Sequence, residues 1–370
     1  MSPEFQRLMN EATRLTQTGD LRAATAAIQN ALFGGQASAH QASHDDGDVI
    51  EVEAREVPDR DVTSGQATAR PDASSRHDQR HTARPSADAG RFIAGSFQNS
   101  AGQRNYKLYV PPGAGTQPMP LVVMLHGCTQ NPDDFAAGTE MNQAAQEQGF
   151  FVLYPEQSTQ ANPQRCWNWF KHNHQVKGRG EPAMLEGMTR EVMATYAIDA
   201  ARVYVAGLSA GGAMAAILGD AYPELYSAVG VHSGLAAGVA SDLSSALAAM
   251  KGQGRVVSGA VSGMPTIVFH GDADATVHAG NGQQVIAASV GIAARQDVLS
   301  VAPSGGRGAT RHVHRDRSDR VVAEHWVVHG AGHAWSGGSS NGSYADASGP
   351  SATQEMLRFF FEHPRRSGMQ

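Results

Sequence analysis

The segment Gly207-Leu208-Ser209-Ala210-Gly211 places a serine between two glycines, directly after the apolar run 202–206 and before the small-residue stretch 210–221. Where a strand feeds a helix through such a tight turn, the serine is forced into strained φ/ψ. The glycines remove Cβ clashes, and the helix N-terminus favours developing negative charge. That is the chemistry of a nucleophile. A serine hydroxyl is a poor one unless a base takes its proton, and the downstream sequence offers an acid and then a histidine. The run 266–269 empties into His270-Gly271-Asp272-Ala273-Asp274. Asp272 follows the glycine at once and suits a cap on its own turn; Asp274 sits further out and is favoured as the acid that orients a histidine. The run 325–328 leads into His329-Gly330-Ala331-Gly332-His333, with Gly337 beyond. Glycines on both sides let that loop bring the His333 imidazole to Ser209 as general base. His325 and His329 are expected to pack or cap, and His312 and His314, within an arginine-rich run, to face solvent.

An acyl-transfer centre also needs donors for the oxyanion. The run 121–125 ends in His126-Gly127-Cys128-Thr129-Gln130. The loop after that strand and the residue after the nucleophile each offer a backbone N–H, so Cys128 and Ala210 are the expected pair. His126 is expected to keep the shape of the loop. The chain contains no H-E-x-x-H, no close Cys pair and no two-His-plus-carboxylate spacing, so neither a metal nor another cofactor is expected.

These motifs must be carried by elements. Strand-like runs occupy 106–110, 121–125, 150–154, 202–206, 228–232, 266–269 and 325–328, and helical patterns fill 132–148, 182–196, 210–221, 281–295 and 351–362. Strands apolar on both faces and separated by helices predict an α/β fold, a mostly parallel central sheet with helices on both faces. Ligands in such sheets bind at the carboxyl ends of the strands, where each motif above begins.

The chain has 370 residues and divides by composition into three parts. Residues 1–34 show Phe5, Leu8, Met9, Ala12 and Leu15 at helical spacing, a break at Thr18-Gly19-Asp20, and a second set at Leu21, Ala24, Ile28, Ala31 and Leu32. This predicts a helical hairpin with an apolar face, which would dock on its own domain, a dimer mate or a polymer surface. Residues 35–90 contain no aromatic, Leu, Met or Cys, and from Gln36 to Gly90 11 Asp/Glu face 6 Arg. Such a stretch buries too little to order itself and reads as a disordered linker. Residues 91–365 form the predicted α/β domain. A net charge of −6 argues against binding nucleic acid or an anionic membrane. No apolar run is long enough to span a bilayer, and the first residues lack an export-signal pattern, so a cytoplasmic location is expected, with secretion as the alternative.

Five ordered segments, Leu125-His126-Gly127-Cys128-Thr129-Gln130, Cys166-Trp167-Asn168-Trp169, Gly207–Gly211, His270–Val277 and Gly332–Gly337, resemble the polyhydroxybutyrate depolymerase family of esterases, relatives of feruloyl and acetylxylan esterases. The resemblance covers the chain from Arg91 onward. It implies an α/β-hydrolase fold with Ser209 as nucleophile, Asp274 as acid and His333 as base, and an oxyanion hole formed by Cys128 and Ala210. It also implies pairing of Cys128 with Cys166, the two cysteines of the chain, against free thiols in a reducing compartment. Trp167, Trp169 and Trp335 are expected to form an apolar shelf for an acyl or polymer chain. The function this implies is hydrolysis of a short-chain 3-hydroxyalkanoate polyester or its oligomers. The alternatives are a feruloyl- or acetylxylan-type esterase, or a protein that binds granules or a partner through a hydrolase-like body.

Overall fold

The computed structural model of the protein describes residues 90–254, 262–290, 295–303 and 306–365. The hairpin expected at 1–34 and the linker expected at 35–90, apart from Gly90, lie outside the described residues. The chain opens with β1 (Arg91–Asn99), β2 (Gly102–Val110) and β3 (Met119–Leu125), then α1 (Pro132–Thr139) and α2 (Met141–Gln148). Next come β4 (Phe151–Pro155), α3 (Gly180–Thr195), β5 (Ile198–Leu208), α4 (Ala210–Ala221) and β6 (Ala228–His232). Then follow α5 (Leu243–Ala248), β7 (Thr266–Gly271), α6 (Gly280–Val290), β8 (Arg295–Val301), β9 (Ala309–Arg315) and β10 (Val321–Val328). The two-residue strands β11 (Trp335–Ser336) and β12 (Ala345–Asp346) precede the last helix, α7 (Ala352–Glu362).

Ten strands form one sheet in the order β1-β2-β4-β3-β5-β6-β7-β10-β9-β8. The six from β4 to β10 in that order are parallel, and antiparallel partners β1, β2, β9 and β8 extend the two sides. The middle strands read as unbroken apolar runs because both faces are covered. Leu121, Val123 and Leu125 of β3 and Val203 and Val205 of β5 pack with Leu185 and Met188 of α3 and Met214 and Leu218 of α4. The alternate residues Val122, Met124, Tyr204 and Ala206 meet Phe135 of α1, Met141 of α2, and Met356 and Phe360 of α7 on the other face. Two cores therefore clamp the sheet and fix where its strands end.

Several boundaries differ from the sequence expectation. The pattern 132–148 is two helices, because Glu140 adopts a left-handed conformation, φ 55°, and turns the chain between them. The helix expected over 281–295 ends at Val290, and Arg295 already belongs to a strand. Strands β1, β8 and β9 had no expectation at all. They lie at the sides of the sheet, largely exposed or half-buried, and so lack the apolar runs that mark a buried strand. His312 and His314, expected in solvent, lie on β9: His312 Nδ1 bonds Gln296, and burial lowers the His314 pKa.

Candidate active site

Strand β5 delivers its chain directly to Ser209, which sits at φ 59°, ψ −118°, a conformation L-residues avoid. Packing enforces it. A Cβ on Gly207 would stand 2.7 Å from the Leu125 carbonyl, and one on Gly211 2.6 Å from the His126 carbonyl, so only glycine lets β3 and the turn approach. The Ser209 N–H donates to the carbonyl of His232, at the end of the neighbouring β6, at 2.9 Å. Ala210 then opens α4, where a first-turn N–H has no carbonyl one turn back to bond.

Strand β7, two places away in the sheet, ends at Gly271 and presents both carboxylates. Asp274 is the buried one. Its Oδ1 accepts the N–H groups of Thr276 and Val277, each at 2.9 Å, which locks the carboxylate to its own turn. Its Oδ2 lies 2.7 Å from His333 Nδ1 and 3.4 Å from His270 Nε2. Burial pushes this carboxyl up, but hydrogen bonds from His270 and His333 outweigh it and hold Asp274 far below the ordinary carboxylate range. Asp272, in contrast, is exposed, accepts the Gly330 N–H at 2.7 Å and faces His329 Nδ1 at 3.1 Å. Asp272, expected to cap its own turn, bonds the Gly330 loop instead; Asp274, expected to face a histidine, does so and also caps the turn. With Nδ1 facing Asp274, Nε2 is the ring nitrogen left to take a proton. The His333 ring and the Ser209 hydroxyl are not hydrogen-bonded to each other in this structure, so the pair brought together directly is Asp274 and His333.

The loop after β3 is held from several sides. Gly127 N–H donates to Gln130 Oε1 and Thr129 N–H to the Gln164 carbonyl, which leaves the Cys128 N–H between them uncommitted. His126 is fully buried: Nδ1 meets the Gly127 carbonyl at 2.7 Å and Nε2 accepts from Gln157 N–H at 3.1 Å. Burial lowers its pKa to about 4, so the ring stays neutral and keeps both contacts. A disulfide joins Cys128 to Cys166 and ties this loop to the segment carrying Trp167 and Trp169. That segment rests on the buried Glu181, which accepts the Asn168 N–H and Nδ2 groups, each at 2.7 Å, and a bond from Gln157 Nε2.

The expected tryptophan shelf is not present. Trp167, Trp169 and Trp335 are 0%, 6% and 1% exposed. Trp167 Nε1 donates to the His126 carbonyl and Trp335 Nε1 to Thr353 Oγ1, while Trp169 packs edge-on against Phe170. They brace the site loops from behind, because large rings next to a well-packed sheet are worth more buried than wet. Two site histidines, His232 and His270, are given no role by the sequence reading. His232 is buried against the Trp335 and Phe269 rings, and its Nε2 accepts the Ser336 N–H at 2.9 Å. Through its carbonyl and its ring it joins the Ser209 turn to the His333 loop. His270 backs Asp274 and also meets the Val277 carbonyl at 2.8 Å. Among the described residues no group of three or more His, Cys, Asp or Glu is gathered for a metal, and no helix is long and apolar enough to cross a membrane.

Residues 104–311 match the esterase family described as "Esterase PHB depolymerase". The chain is 28% identical over 251 residues to a poly(3-hydroxyalkanoate) depolymerase C of Paucimonas lemoignei, covering 64% of this chain and 60% of that protein. It is 32% identical over 140 residues to a feruloyl esterase B of Thermothelomyces thermophilus, covering 38% of this chain and 47% of the relative. It is likewise 32% identical over 160 residues to an acetylxylan esterase A of Talaromyces purpureogenus, covering 40% of each. The chain thus spans no more than 60% of the length of these curated relatives. An acetyl xylan esterase structure from Aspergillus awamori superposes with a TM-score of 0.53 at 17% identity, over 73% of this chain and 99% of that one. That likeness gives the fold, an α/β-hydrolase.

Proposed function

The chain belongs to the PHB depolymerase family of esterases, and from that premise we propose that it is a serine carboxylic ester hydrolase acting through an acyl-enzyme. The observation that carries the proposal is the contact of buried Asp274 with the partly exposed His333, 2.7 Å apart, at the same end of the sheet as the strained Ser209 turn. In this reading Ser209 Oγ attacks the ester carbonyl while His333 Nε2 takes its proton, and Asp274 holds the imidazole in the required tautomer and offsets its charge. The N–H groups of Cys128 and Ala210 receive the oxyanion. Each such donor is worth about 10²–10³ in rate because the charge it meets is greatest in the transition state. His333 then protonates the leaving alcohol, and water repeats the sequence to free the acid and regenerate Ser209. No cofactor takes part. The catalytic body is residues 91–365.

A short-chain 3-hydroxyalkanoate polyester or its oligomers is the proposed substrate, supported by the family and by the Paucimonas relative. The feruloyl and acetylxylan relatives favour a second reading, a soluble or polysaccharide-borne ester. The Cys128–Cys166 disulfide supports work in an oxidising compartment, the alternative to the cytoplasm. Release of 3-hydroxybutyrate from an amorphous polyester suspension, measured beside hydrolysis of a short p-nitrophenyl ester for wild type and Ser209→Ala, tests the proposal. Loss of both activities in the variant supports it. Cleavage of the small ester alone moves the substrate to the second reading, and an active Ser209→Ala protein overturns the mechanism.

A further inference from the structure

With the three tryptophans buried, the apolar surface available to a substrate must come from elsewhere. Among the described residues, the large apolar side chains at least 40% exposed are Val176, Leu243, Val298, Leu299 and Tyr344, and Tyr344 is the one aromatic ring. Its position is specific. The Tyr344 hydroxyl lies 3.4 Å from Thr129 Oγ1, and Thr129 in turn donates to the Cys128 carbonyl at 2.6 Å. At its other end the Tyr344 carbonyl accepts the N–H of Trp335, two residues after His333, at 2.7 Å. One residue therefore bridges the loop of the expected oxyanion donor and the loop of the expected base.

The backbone beneath the ring is built to hold it there. Tyr344 sits at φ 51° and Thr129 at φ 67°, a left-handed conformation uncommon for a bulky residue and kept only where the surroundings impose it. Those surroundings are visible. The preceding residue, Ser343, gives its N–H to Asp134 Oδ1 at 2.8 Å and accepts from Gln130 Nε2 at 3.0 Å through its carbonyl. The following residue, Ala345, pairs with Trp335 in the β11–β12 ladder. A fold that fixes both neighbours and strains the backbone between them, yet leaves 47% of the tyrosine in solvent, is spending its rigidity on presenting a ring.

We infer that the Tyr344 ring is the surface, beside the oxyanion loop, on which the part of an ester beyond its scissile group lies, so that the site selects extended apolar or aromatic esters over a bare acetyl group. The inference rests on the esterase reading above. A ring face gives broad contact with an aliphatic polyester repeat or a phenyl group without demanding a polar partner. The hydroxyl faces Thr129, while the backbone held on both sides of residue 344 sets where the ring lies.

Three esters that differ in what extends beyond the scissile group test this: ethyl acetate, a 3-hydroxybutyrate trimer and methyl ferulate. For Tyr344→Ala, kcat/KM is expected to fall about tenfold, through KM, on whichever extended ester the wild type cleaves, and no more than about threefold on ethyl acetate. Tyr344→Phe keeps the ring and is expected to stay within about threefold of wild type on all. Binding of the trimer and of methyl ferulate to Ser209→Ala, measured calorimetrically, is expected to weaken about tenfold for at least one of them when Tyr344→Ala is added. Equal losses on short and extended esters, no loss on either, or unchanged binding of both ligands overturns the role of Tyr344. A wild type that cleaves methyl ferulate and not the trimer overturns the polyester reading while leaving the ring supported by its own ratio. A wild type that cleaves none of the three overturns the esterase reading, and the binding measurement then decides the ring by itself.

Discussion

Three histidines should make this protein sensitive to acid, and the effect can be worked from their surroundings. His126, His232 and His325 are buried, and burial lowers their pKa values from 6.5 to about 4, about 3 and about 3; the nearby His270 adds to the effect on His232 and His325. Unfolding returns each ring to water and to its ordinary value. Below pH 6.5 the unfolded chain binds protons that the folded one refuses, so this contribution to stability is fully present above pH 6.5 and is lost as pH falls. From pH 8 to pH 4.5 each ring accounts for about 2–3 kcal/mol, and the three together for about 8 kcal/mol, comparable with the whole stability of a typical domain. His325 isolates the effect, because its Nε2 is buried without a hydrogen-bond partner and replacing the ring breaks no bond there. In guanidinium unfolding followed by tryptophan fluorescence at pH 8, 6 and 4.5, His325→Phe should lose about 2–3 kcal/mol less than wild type across that range. A variant with the same pH slope as wild type, or a wild type whose stability is flat down to pH 4.5, would refute the reasoning.

Other outcomes follow from the site geometry. Asp274→Asn removes the partner of His333 Nδ1 and should lower kcat by about 10³–10⁴ with KM little changed, whereas Asp272→Asn should stay within about fivefold. Steady-state kinetics that reverse this order would transfer the acid role to Asp272. Gly211→Ala drives a methyl group into the Leu125 and His126 carbonyls and must displace the Ser209 turn; a loss of at least about 10² in kcat/KM with a lower Tm is expected, since misplacing a reacting group by about 1 Å is worth that much. Cys166→Ser, or reduction of the disulfide, frees the loop that carries Cys128 and should lower kcat more than it raises KM. Full activity in reductant, with two thiols titrated, would remove the bond from the catalytic account. His232→Phe deletes the acceptor of the Ser336 N–H and should loosen the His333 loop, seen as faster amide exchange over residues 333–337 and a lower kcat.

The site's elements were legible where local chemistry demands particular residues. A strained strand-to-helix turn needs glycine at 207 and 211, and a strand buried on both faces must be apolar along its length, so the serine turn and the middle of the sheet stand out in the one-dimensional pattern. The side strands β1, β8 and β9 did not, because half-exposed strands draw on the same residues as loops. The break at Glu140 was hidden because nothing in an otherwise helical pattern announces a non-glycine residue at positive φ.

What the sequence by itself determined is the order of the pieces, namely which residues are able to attack, to accept a proton and to donate to an oxyanion, since these follow from residue type and immediate neighbours. What tertiary structure decided is which surface each of them faces. Asp272 and Asp274 are two residues apart and chemically identical, yet one is exposed beside His329 and the other is buried against His333 and His270, because the turn after β7 folds back on itself. Trp167, Trp169 and Trp335 sit in the expected segments but are buried, and the aromatic ring left exposed beside Thr129 is Tyr344, whose neighbour Ser343 is held by Asp134 and Gln130 from more than 200 residues earlier in the chain. Burial and partnership of this kind are sums over contacts between distant segments, and no local pattern of residue types contains them.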